Sequence, residues 1–282
     1  MKGFLLVLFC IICFSSQAQS LQEASKAIEN KQFEKAIEVF DVLIEKQPKD
    51  ADLLLKRALA KKFLADSVGF DDTEICHDLL QSFLLGNKSA YELLENTCLD
   101  FCWDINTSSD APLNTFCLDL DNQKLSYLPS NMKSFPNLLS LKLGHNKLKV
   151  IDESFTQNNY LIQLDLKHNQ LTQISAYISH FRLLEMLDLS NNNISFIAPE
   201  INVLVHLKVL NLHANALKSL PKEIFELENL EVLDLSFNHI TQLPLEIDKL
   251  KKLKKLNLTA TPLAHKKDLK NLLPNCEIIW GL

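Results

Sequence analysis

The sequence predicts an α/β solenoid of short parallel strands, preceded by a small α-helical domain. Two observations carry this. From Thr115 to Leu263 one apolar pattern returns with a constant period of 23 residues, and between residues 21 and 101 apolar residues instead recur at helical spacing. A third observation separates the two: residues 104–112 are polar and rich in Asn, Thr, Ser and Asp, which reads as a connection.

In chain order, Lys2 precedes an almost wholly apolar run from Phe4 to Phe14, then Ser15, Ser16, Gln17 and Ala18. That layout predicts a cleaved export signal over 1–18, with small residues at Ser16 and Ala18 before the cut. The run is about half the length that spans a bilayer, and no other stretch is apolar enough to span. The expected product is exported: secreted, periplasmic or cell-surface associated. Bulky Val7, Leu8 and Phe9 ahead of Cys10 do not fit a lipid-attachment site.

The helical domain is expected over 19–103. Ala24, Ala27, Ile28, Phe33, Ala36, Ile37, Phe40 and Leu43 line helical faces interrupted near Asn30–Gln32, and Pro48 ends the second helix. Phe33, Ala36, Phe40 and Pro48, with Lys49 and Asp50 in the following turn, resemble a tetratricopeptide repeat. The resemblance implies a helical hairpin that caps the solenoid or binds a peptide. A second unit departs from it, with Arg57 and Ala58 where Leu and Gly belong. Further helices are expected from near Asp72 and up to near Trp103. Of the cysteines left after cleavage, Cys98 or Cys102 can reach Cys76 or Cys117, at least one thiol stays unpaired or pairs between molecules, and the alternative is that several are buried free thiols. Tetrahedral zinc is disfavoured, because close-paired ligand spacings are missing.

After the 104–114 linker, the repeats run over 115–265 as seven units. Leu138, Leu141, Leu143, Asn146 and Leu148 show the pattern, repeated at Leu161, Leu184, Leu207 and Leu230, with imperfect units at Thr115 and Leu253. Alternate apolar residues place one face of a short strand in the core. Asn can satisfy backbone groups at the turn, and Leu220, Pro221, Ile224 and Leu227 fit a short helical or irregular return. This arrangement resembles the leucine-rich repeat family, which implies a solenoid in a right-handed arc or horseshoe and a binding role. No unit buries its own leucines, so stacking makes the core. Residues 266–282 are expected to close the stack, with Ile278 and Trp280 over the last leucines.

The remaining composition excludes more than it selects. Five glycines, none clustered, rule out a phosphate-cradling loop. A net charge of -6 disfavours nucleic acid, and the basic run Lys249–Lys255 reads as a solvated turn. No nucleophile elbow or metalloprotease motif occurs, so neither catalysis nor a cofactor is expected. The expected function is a non-enzymatic scaffold or adapter that binds a protein through the concave strand face. The alternative is a structural or surface component that binds glycan or itself.

Outward strand positions form columns. Met186, Val209 and Val232, with Phe237 nearby, make an apolar stripe beside Asp165 and Asp188. His145, His168 and His213 add polar contacts. His145 and His168 alone are a weak metal site, since Asp165 would have to turn towards them, so no metal is assigned. Four glycan acceptor sequences begin at Asn87, Asn106, Asn193 and Asn257.

Overall fold

The computed structural model describes residues 18–68, 73–98, 102–104, 113, 115–264 and 269–281. Most of the expected signal segment, the 105–112 stretch with Asn106, and residues 265–268 lie outside them. The chain divides into two compact units, Met1–Phe101 and Cys102–Leu282.

The first unit is helical: α1 (18–29), α2 (Phe33–Lys46), α3 (Ala51–Val68), α4 (Thr73–Leu84) and α5 (Ser89–Cys98). Each boundary has a local cause. Lys31 takes a left-handed φ of 58°, and Gln32 N–H reaches back to Ala27 O at 2.8 Å, closing α1. Asp50 caps α3 by accepting from Asp52 and Leu53 N–H at 3.0 and 3.1 Å. Gly86, at φ 99°, closes α4, where Asn87 N–H donates to Ser82 O at 3.1 Å. Small residues let the helices approach: Ala24, Ala27, Ala36 and Ala60 are buried with Phe40, Leu43 and Leu53. The Cys76–Cys98 disulfide ties α4 to α5.

The departure at Arg57 has a structural reason. Its guanidinium grips the buried Asp78 carboxylate with two hydrogen bonds of 2.8 and 2.5 Å, and donates to Asp41 at 2.7 Å. Lys61 also reaches Asp78, at 3.1 Å, and Glu74 at 2.9 Å. Burial alone would lower the Arg57 pKa; the hydrogen bonds and charge of Asp78, then of Asp41, carry it above its ordinary value. One carboxylate thus fastens α4 to α3, and through Arg57 to α2.

The second unit holds a parallel sheet of nine strands. They are β1 (Trp103–Asp104), β2 (Cys117–Asp119), β3 (Ser140–Lys142), β4 (Gln163–Asp165), β6 (Met186–Asp188), β8 (Val209–Asn211), β9 (Val232–Asp234), β10 (Lys255–Asn257) and β11 (Glu277–Ile279). Each pairs with the next in that order, so equivalent residues of successive repeats stand side by side, Met186 beside Val209 beside Val232. The 23-residue spacing becomes a lateral distance of about 4.8 Å.

Two end strands lie outside the repeats. Trp103, assigned to the helical domain by sequence, pairs with Leu118 in the second unit, and the Cys102–Cys117 disulfide fixes β1 to β2. At the other end a short helix α6 (Leu269–Leu272) leads to β11, where Ile278 pairs with Leu256 and packs on the core, while Trp280 stays 37% exposed. The free thiol, Cys276, is buried in this cap, and burial pushes its pKa up.

The return halves of the repeats are short 3-10 turns such as Ala176–His180, Pro199–Val203 and Lys222–Glu226. Strand and return leucines meet in one core containing Phe135, Phe181 and Phe225, all fully buried. A second sheet of two strands, β5 (Gln173–Ile174) and β7 (Phe196–Ile197), runs beside the turns. Ala198 N–H continues it by donating to Ile174 O at 2.9 Å. The equivalent residue one repeat later is Pro221, which has no N–H, so that bond cannot form from it to Ile197.

Candidate functional site: the sheet face

Three side-chain positions per repeat build the edge of the sheet, and each has a defined task. The first is the buried Asn. Asn192 Oδ1 accepts from Leu171 N–H of the preceding repeat at 3.0 Å, while Nδ2 donates to Leu166 O at 3.0 Å and to Leu189 O at 3.0 Å. Asn146, Asn169, Asn215 and Asn238 do the same. Thr261 keeps only part of this, donating to Leu235 O at 3.1 Å.

The second is the column from Asp119 to Asn257. Asp188, Asn211, Asp234 and Asn257 each accept, through Oδ1, from the N–H two residues on, at 2.9 to 3.1 Å. They cap the strand end. Sideways, Asn211 donates to Asp188 at 3.1 Å and Asn257 to Asp234 at 2.8 Å. A glycan would attach to this same Asn257 Nδ2, which is already engaged with Asp234.

The third task falls to the residue before each Asn or its equivalent, Gln123 and Thr261 in the outer units: Asn122, His145, His168, Asn191, Ala214, Phe237 and Ala260 all have positive φ, from 51° to 59°. That left-handed conformation turns the chain out of the strand and lifts the side chain onto the face.

The predicted site residues separate into groups on this frame. Met186 and Phe237 are 42% and 51% exposed, and Val209 and Val232, in register with Met186, are half-buried. His145 and His168 are exposed and stack face to face, with ring centroids 4.2 Å apart. Asp165 does not turn to them: it accepts from Lys167 N–H at 3.0 Å and holds Lys167 Nζ at 2.7 Å. Hydrogen bonding to Asp165 raises the Lys167 pKa; burial opposes it, and Asp121 and Asp188 assist by charge. No group of three or more metal-binding side chains gathers among the described residues.

His213 belongs to a cluster that sequence reasoning did not find. Its Nδ1 lies 2.7 Å from Ser236 Oγ, Ser236 Oγ donates to Asp234 Oδ1, and the Phe237 ring meets His213 edge to face at 5.2 Å. The residue types are those of a hydrolytic triad, but the order is not. Ser236 sits between Asp and His, whereas a triad needs His between them, and Ser236 is buried.

Two family descriptions match the stack: "Leucine rich repeat" over residues 136–194 and "Leucine-rich repeat region" over 166–273. Residues 136–273 form a leucine-rich repeat domain. A Leptospira interrogans leucine-rich repeat protein of known structure is 28% identical, with a TM-score of 0.50, over 64% of this chain and 58% of that one. An internalin from Listeria monocytogenes is 21% identical with a TM-score of 0.52, over 60% of this chain and 48% of that one, a likeness of fold alone. The chain thus spans less than two thirds of the length of either of these two proteins. No curated protein matches it.

In the leucine-rich repeat stack, the left-handed position carries a measurable cost wherever its residue is not Gly or Asn. Ala214, at φ 51°, has no side chain beyond Cβ to lose. Ala214→Gly is expected to raise stability by about 0.5–1 kcal/mol, the relief of left-handed strain less the extra entropy of glycine in the unfolded chain. Urea denaturation checks it, and a loss of stability would show that φ at this site carries no strain.

Proposed function

We propose that the chain is a non-enzymatic, exported binding scaffold whose sheet face, from Met186 to Phe237, holds a protein partner. The observation that carries this is the apolar stripe itself: Met186, Val209 and Val232 reach the surface on adjoining strands, and Phe237 does so just past the end of β9. Apolar residues held open on a rigid sheet, with polar groups around them, match the centre and rim of a protein contact. The buried Asn bonds and strand caps supply rigidity, so little conformational freedom is lost on binding. Export is supported by the two disulfides, which persist in oxidising compartments. Among the described residues, no helix is long and apolar enough to cross a membrane. We read the helical unit as tetratricopeptide-like, on its Ala-lined helix crossings.

The test is capture of binding proteins from native envelope extracts by residues 19–282. The comparison is the variant Met186→Lys, Val209→Lys, Phe237→Lys, whose folding is checked by circular dichroism. The expected result is a specific protein retained by the first and reduced at least about tenfold in the second, three charges having replaced the contact's apolar centre. Equal capture would remove the sheet face from the proposal.

A further inference from the structure

The corner of the sheet face around Asp234 offers hydrogen-bond acceptors and an aromatic ring. Asp234 Oδ1 accepts from Ser236 N–H at 2.9 Å and from Ser236 Oγ, and Oδ2 accepts from Asn257 Nδ2 at 2.8 Å. A carboxylate has about four acceptor sites, so these bonds leave capacity towards solvent. Among the described residues no cation forms an ion pair with Asp234, whereas Asp165 is held by Lys167 at 2.7 Å. Ser236 gives its single hydroxyl proton to Asp234, so the His213 Nδ1 at 2.7 Å from Ser236 Oγ is the donor there. An imidazole that donates through Nδ1 offers, in its neutral form, the Nε2 lone pair as a further acceptor. Phe237 is 51% exposed and rests against His213. Val232 lies two residues along the strand, about 7 Å away, with Val209 and Met186 beside it in register.

A carboxylate without a cation, a lone-pair nitrogen and an open ring all select for the same chemistry. We propose that this corner binds a cationic side chain of the protein partner, arginine above all, flanked by apolar residues that lie on the Met186–Val209–Val232 stripe. Asp234 takes the charge, the Phe237 ring takes the flat guanidinium, and the partner's apolar neighbours are buried alongside. This rests on the sheet-face reading above and names what that face recognises.

The fold itself supplies clean test variants. Asn stands at the Asp234 position in two repeats and makes the same cap, from Asn211 to His213 N–H and from Asn257 to Thr259 N–H, both at 3.1 Å. Ala stands at the Phe237 position in the same two repeats, with φ of 51° and 54°. Asp234→Asn and Phe237→Ala therefore remove the charge or the ring and keep the backbone.

The probe is the capped tripeptide acetyl-Leu-Arg-Leu-amide, titrated into residues 19–282 while backbone amide resonances are followed. Its citrulline counterpart, equal in shape but uncharged, is the control. Expected are saturable shifts at Ser236, Phe237 and Asn257, at least about tenfold weaker binding of the citrulline peptide and of the arginine peptide to Asp234→Asn, and a loss of about two- to fivefold in Phe237→Ala. Equal binding of both peptides, an unaffected Asp234→Asn variant, or shifts confined to other surfaces overturns the proposal. Partner capture separates this failure from failure of the broader reading. Loss in the triple variant but not in Asp234→Asn rejects only the cationic anchor; loss in neither rejects both.

Discussion

Asp78→Ala is expected to destabilise the helical unit by about 3–5 kcal/mol, most of the stability of a unit this size. The reason is not the loss of an attraction but what is left behind. Asp78 is almost fully buried, and it is the shared partner of Arg57 and Lys61, whose side chains are only 19% and 10% exposed. Removing it leaves Arg57 with only Asp41, which is half exposed, and Lys61 with only Glu74, more exposed still, so two largely buried positive charges lose their one buried partner. Asp41→Ala should therefore cost about 1 kcal/mol or less, because solvent screens that pair. Helix signal followed through urea unfolding measures both. Similar small losses in the two variants would show that water reaches Arg57 and Lys61 freely. A further check is the combined replacement Arg57→Met, Lys61→Met, Asp78→Leu, which removes every charge at once. It should recover most of what Asp78→Ala loses, since a buried ion network and a packed apolar one are close in energy.

The same residues show what the sequence discloses and what it conceals. The strand register was legible because stacking forces equivalent residues to one lateral position, so a constant period leaves a constant trace: Leu141, Leu164 and Leu187 pair in succession as spaced. The helices were legible from alanine and phenylalanine spacing. Arg57 was visible only as a departure, because its partner Asp78 lies 21 residues away in another helix, and no local pattern links them.

Within the stripe, Met186 was recognisable as an outward residue from the strand alternation, and Phe237 from its repeat position just after the strand leucines. The carboxylates were read only as a repeated polar column. Asp188 and Asp234 do serve the backbone, and the N–H two residues on was their target, but an aspartate at a strand end looks alike whether it caps or binds. The cluster of His213, Ser236 and Asp234 escaped for a different reason. Its bonds run between adjacent repeats, 23 residues apart, and depend on side-chain direction set by the positive φ at Phe237 and its equivalents. The leads were serine at 190 and 236 and histidine at 213 in one column, a pattern that names no geometry by itself. The two outermost strands were hidden too, because Trp103 and Ile278 lie outside the 23-residue period.

Asn192→Ala is the counterpart experiment in the solenoid, and a loss of about 2–4 kcal/mol is expected. The side chain is buried, and its bonds run in two directions: within its own repeat to Leu189 O and Ser190 O, and back to Leu166 O and Leu171 N–H of the repeat before. Alanine leaves Leu171 N–H enclosed without a partner, at about 1–3 kcal/mol, and removes three further bonds to Leu166 O, Leu189 O and Ser190 O, which keep Asn169, Asn215 and His168 N–H as donors. Because the stack is coupled only through neighbours, the damage also has a position. The interface between the third and fourth units weakens, and units on either side should open separately, broadening the unfolding transition and lowering amide protection around Leu166 and Leu171 first. Thr261→Ala makes the contrast. Thr261 contributes a single bond of 3.1 Å to the preceding repeat and stands in the last unit. Its loss should cost about 1 kcal/mol and fray only that end, leaving protection at Leu166 unchanged. Were the two variants to unfold alike, in one sharp transition with equal loss, the stack would be a single cooperative body rather than a chain of neighbour contacts. The Asn column would then matter for its sum and not for its place.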